Sequence, residues 1–185
     1  LRKIIDTYQI YNFDELSDKA KKIAHMEFNS FNNIDYSFII DYCIEQLLFL
    51  GFDIDEIYFT LCDSQGDGAC FVGKYISKKI EFNNSINIEL VEIIKCLNNI
   101  FEETTSISAT IYHYGFYYND TCWRISWHDD ILSKQDSSIR KLIKQLMVWI
   151  YSQLEIEYRY NNSIEYFKIV CNNNEYEFRE NGEMY

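Results

Sequence analysis

The sequence predicts an α+β domain in which helices cover one face of a mainly antiparallel sheet, with residues 1–185 forming a single unit. Three observations lead there. Apolar residues recur at helical spacing in several long segments and alternate with period two in others. Helices and strands come in groups, without the regular strand-helix-strand alternation of a parallel sheet. Hydrophobic residues make up 48% of the 185, enough to fill one core.

Taken in order, Thr7 to Asn12 reads as a short strand. Asp14-Glu15-Leu16-Ser17-Asp18-Lys19-Ala20 opens a helix, its carboxylates placed where the helix dipole favours them. Leu16, Ala20, Ile23, Ala24 and Phe28 form its apolar stripe. A second helix fits from Asp35 to Leu50, with Gly51 closing it. The period then changes to two: Ile57, Phe59 and Leu61 alternate with Tyr58, Thr60 and Cys62. Cys70 to Ile76 reads as the returning strand. Leu90, Ile93, Ile94, Leu97 and Phe101 mark a third helix. Ser106 to Tyr114 and Tyr117 to Trp127 read as a hairpin turning at Gly115. Ser137 to Tyr160 carries the widest stripe, built from Ile139, Leu142, Ile143, Leu146, Ile150 and Leu154. A short helix follows from Ile164 to Val170, and Asn181-Gly182 signals a terminal turn.

Charge bounds the partners. Seventeen basic against 29 acidic residues leave a net charge of −12, which repels nucleic-acid backbones, so no direct nucleic-acid binding is expected. The carboxylates of Asp53, Asp55, Glu56, Asp63 and Asp67, and those of the tail, read as solvated edges or as a face for a basic protein. No apolar run approaches the ~18 residues that a membrane-spanning helix needs, so no membrane association is expected. The six cysteines are scattered without metal-binding spacing and fit a reducing cytoplasm.

Between the second helix and the third lies Asp63-Ser64-Gln65-Gly66-Asp67-Gly68-Ala69. Four of the six glycines fall between positions 51 and 73. Glycine is needed where the backbone takes positive φ or where another group must come close. Ser64, Gln65, Gly66, Asp67 and Gly68 are therefore either a tight turn that braces itself or the wall of a binding pocket with backbone N–H groups turned to an anion. A calcium loop does not fit, because the position that should carry a bidentate Glu is Lys74 and the flanks read as strands. A looser metal site on Asp63 and Asp67 remains an alternative.

Several stretches together resemble a family of small bacteriophage and prophage accessory proteins, sometimes labelled antitoxin-like. They are Tyr11 to Ala20, Gly51 to Phe59, the Ser64-Gln65-Gly66-Asp67-Gly68-Ala69 block, Trp149 to Glu155 and Asn174 to Phe178. The resemblance implies a mobile-element protein acting in the cytoplasm of a bacterial host. It implies no particular reaction.

The second constellation is aromatic: His113, Tyr114, Tyr117 and Tyr118 on the hairpin, near Trp123 and Trp127. Rings on a strand usually pack a sheet; exposed, they anchor protein interfaces or stack on bases. No spacing favours a nucleophile-base set, so no catalytic residue is assigned and no cofactor is expected. The expected function is binding and modulation of a bacterial host protein or defence complex, with inhibition of host defence as its specific form. The alternatives are a nucleotide-derived small-molecule ligand held by Gln65, Asp67 and the tyrosines, and a metal-dependent hydrolase.

Overall fold

The computed structural model describes residues 7, 9–61, 66–102, 106–119 and 121–185. They gather into two compact units, one built from the described residues before Tyr36 with Ile156–Tyr185, the other from Tyr36–Glu155. The architecture is α+β.

In the smaller unit β1 (Tyr11–Asn12) pairs antiparallel with β6 (Glu177–Phe178), and α1 (Asp18–Phe31) and α5 (Ile164–Asn173) lie between them in sequence. The expected strand from Thr7 shortens to two residues, because β6 offers only two partners. Ser17 and Ser163 begin the helices by accepting N–H bonds from Ala20 (3.3 Å) and Tyr166 (3.1 Å). The core is a knot of rings. Phe167 lies 4.7 Å from Phe28 and 5.0 Å from Phe13, with Phe178 at 6.2 Å. Asn181-Gly182 does turn the chain: the Gly182 N–H bonds the Arg179 carbonyl at 2.9 Å.

The larger unit holds a four-stranded antiparallel sheet in the order β2-β3-β4-β5, with β2 Phe52–Thr60, β3 Gly68–Ile76, β4 Ser108–His113 and β5 Trp123–Trp127. With it go α2 (Ser37–Phe49), α3 (Val91–Glu102) and most of α4 (Ser133–Asn161). Phe52, Ile57, Phe71, Tyr75, Ile111 and Ile125 are buried on the inner face. Against them lie Cys43 and Leu47 of α2, Ile94 and Leu97 of α3, and Ile139, Ile143, Leu146 and Ile150 of α4. The outer face is polar and exposed at Asp53, Lys74, Tyr112, Arg124 and Ser126. The Arg124 guanidinium sits 5.4 Å from the Tyr112 ring centre.

Three boundaries differ from expectation, each for a local reason. β2 starts at Phe52 instead of Ile57 because a bulge between Ile54 and Glu56 shifts the pairing by one residue. Ile54 and Ile57 thus both face inward, although three apart. The second strand of the hairpin starts at Trp123, not Tyr117. Asn119 diverts the chain by accepting the Thr121 N–H (3.0 Å), and Tyr114 closes the loop on the Cys122 carbonyl (3.0 Å). Finally, α4 starts at Ser133, where Gln135 accepts the Leu132 N–H at 3.2 Å.

Side chains also satisfy the long connection between β3 and α3. Buried Gln46 donates to the Ser85 carbonyl (3.0 Å) and accepts the Asn87 N–H (2.7 Å), while Asn98 makes both bonds to the Ile80 backbone.

Two carboxylates tie β4, β5 and α4 together. Asp129 accepts both the N–H (2.7 Å) and the hydroxyl (2.8 Å) of Ser108, which hold its carboxyl below the usual range. At Asp136 burial pushes the carboxyl up, but bonds from Arg140 and the Trp127 indole, with the Arg140 charge, outweigh it and leave it lowered. A lowered folded pKa stabilises above the unfolded value and is lost as pH falls through the folded one. Stability should therefore decline below about pH 4. Asp136→Asn should cost about 1 kcal/mol at pH 7, reduced by solvent screening, and flatten that acid slope in urea titrations at pH 7 and pH 3.

Candidate functional site

Ser64 and Gln65, with Asp63, lie outside the described residues. Gly66, Asp67 and Gly68 are described, and the structure brings the two glycines against the aromatic loop 114–122. A Cβ on Gly66 would sit 2.4 Å from the Tyr117 ring. At Gly68, whose φ is +154°, it would sit 2.7 Å from Cα of Asn119 and 3.2 Å from the Tyr118 carbonyl. Both glycines are buried, so their backbone faces this chain's own loop. Close approach is the physical requirement at both positions.

The loop lies over the outer face of β2 and β3. Tyr58 stands opposite Cys70 in the ladder and stacks on Tyr118, with centroids 5.4 Å apart and planes at 17°. The His113 ring lies 5.2 Å from both tyrosines. Under this cover Cys70 is fully buried. Burial, with Cys122 nearby, pushes its thiol up to about 12, which removes it as a nucleophile at neutral pH. The loop is braced as well. His113 Nε2 donates to the Tyr117 carbonyl (3.0 Å), which leaves Nδ1 as the imidazole's other nitrogen. Asn119 also accepts the Thr121 hydroxyl, and the Tyr114 hydroxyl reaches the Thr121 carbonyl at 3.4 Å.

Of the residues singled out from sequence, Gly66, Gly68, His113, Tyr117 and Tyr118 meet. Tyr114 is half exposed, its hydroxyl directed at the Thr121 carbonyl of the same loop. At the loop's end Phe116 is 96% exposed, and Tyr117 keeps 58% of its surface in solvent. The arrangement is a braced backbone that presents rings outward. Sequence reasoning missed Tyr58, Asn119 and Cys122. The signal for Asn119 was present, since an Asn side chain commonly makes a turn by bonding the backbone two residues on. Among the described residues no group of three or more His, Cys, Asp or Glu side chains could hold a metal ion. No helix among them is long and apolar enough to cross a membrane.

A second concavity lies in the same unit, along α3 and α4. It encloses about 570 Å³, and at one end the Glu89 carboxylate accepts bonds from the Trp149 indole (2.9 Å) and the Gln153 amide (3.1 Å).

Sheet, aromatic loop and helical cleft all fall within one recognised stretch of an α+β protein. Residues 36–163 match a domain of unknown function, DUF8835, and the chain belongs to that family. No curated protein and no solved structure matches it.

The glycine contacts separate two outcomes. Gly68→Ala sets a side chain against backbone at an unfavourable φ and should cost about 2–4 kcal/mol in chemical denaturation. Gly66→Ala meets only an exposed ring that can swing aside. It should cost less than about 1 kcal/mol while changing the near-ultraviolet signal of the tyrosines.

Proposed function

We propose that this protein is a phage-encoded accessory protein that binds and modulates a bacterial host protein or defence complex, with inhibition as the outcome. The observation that carries the reading is the loop tip, where Tyr114, Phe116 and Tyr117 stand in solvent on a braced backbone. Exposing such rings is unfavourable in water, and aromatic anchors dominate protein interfaces because they bury much surface with few rotors to freeze. A braced loop also lowers the ordering cost of association.

The net charge of −12 supports a partner with a basic surface, which long-range attraction would draw in. The phage origin and the host cytoplasm rest on the sequence resemblance, and the choice of a defence component rests on the same ground.

The test is a pull-down from bacterial host lysate with tagged protein. Wild type should retain a stoichiometric partner. The Phe116→Ala/Tyr117→Ala variant should retain at least about tenfold less at an unchanged melting temperature, as expected for anchors at an interface centre. Recovery of no stoichiometric partner, or equal recovery by the variant, would defeat the reading.

A further inference from the structure

The cleft along α3 and α4 carries a charge arrangement that the rest of this acidic chain does not prepare for. Its floor is apolar, formed by Leu90, Ile93, Ile100 and Leu142. On the α4 wall Lys134 and Lys141 lie seven residues apart, about 10 Å along the axis, with Ser138 between them. Among the described residues neither lysine has a carboxylate partner. Arg140 is paired with Asp136, and Glu92, a second carboxylate lining the cleft, is paired with Lys95. The Ser138 hydroxyl donates to the Lys134 carbonyl (2.9 Å), so its oxygen keeps room to accept. Glu89 stands at the opposite end, fixed by Trp149 and Gln153 through one carboxylate oxygen.

We propose that this cleft binds a small organic anion with an apolar body. The anionic group lies over Ser138 between the two ammonium groups, and the apolar part covers Ile93, Ile100 and Leu142. Glu89 repels a second anion at the far end and so sets the direction of entry. The volume, about 570 Å³, lies within the ~300–1,000 Å³ usual for small-ligand sites. Overall charge does not oppose this. At physiological salt the field of distant carboxylates fades over about 8 Å, whereas lysine ammonium groups at the wall act at contact distance. With no carboxylate partner among the described residues, they need no ion pair there to be broken first. The inference stands apart from the aromatic loop, which contributes no residue to the cleft.

Two dyes of similar shape test it: anilinonaphthalene sulfonate, which carries the anion, and N-phenyl-1-naphthylamine, which does not. Fluorescence titration of the folded protein should give saturable sulfonate binding near one per chain, weakening as salt rises. Lys134→Gln/Lys141→Gln should weaken the sulfonate at least tenfold and the neutral dye less than twofold, with the melting temperature unchanged. Phe116→Ala should leave both unchanged, which separates the cleft from the exposed loop. Absence of saturable sulfonate binding, an unaltered affinity in the lysine variant, an equal loss for both dyes, or loss with Phe116→Ala would each overturn the assignment.

Discussion

Burial of one stripe of α4 against the inner face of the sheet is the contact on which the larger unit depends. Ile139, Ile143, Leu146, Met147, Ile150 and Leu154 are all completely shielded from water. Each such side chain contributes roughly 1.5–3 kcal/mol of transfer free energy, so this seam outweighs any single polar contact in the unit. Once that stripe faces the sheet, helical geometry leaves Lys134, Ser138, Lys141 and Gln145 on the neighbouring flank. The cleft is thus a by-product of which residues the core has already claimed.

The other side of the sheet is handled differently. On that side the first half of β3 is buried as well. Tyr117, Tyr118 and Asn119 of the loop do the covering, and they can come close because two positions beneath them lack side chains. Tyr118 on Tyr58, with the His113 ring beside both, then forms a partly buried group in which both tyrosines pack against the main core. The same stiffness that closes this layer leaves Phe116 with nowhere to hide.

Much of this was readable from residue order, and the limits have physical causes. The helices were legible because their stripes repeat over many turns, and the Gly51 cap was legible because it has one structural use. It sits at φ +90°, as a cap should. The first third of β2 was hidden because a bulge reverses the parity of its alternation, so Phe52 and Ile54 fall out of phase with Ile57. The loop passed for strand because Tyr117, Tyr118 and Trp123 have high strand preference, and Asn119's local turn overrode it. That two glycine-marked and tyrosine-marked segments mattered was visible; that each is the other's packing partner was not, since nothing local encodes a contact about fifty residues away. The cleft lay beyond reach for the same reason, because it needs two helices placed side by side.

The bulge has one more effect. β2 is the outermost strand on its side, and an outermost strand ordinarily invites another chain to add itself through main-chain hydrogen bonding. Here the kink breaks the regular row of donors and acceptors, and Asp53, Asp55 and Glu56 project negative charge along it. Two copies meeting edge to edge would confront like charges across a mismatched ladder. This edge of the sheet therefore resists strand addition without help from proline, of which the chain has none.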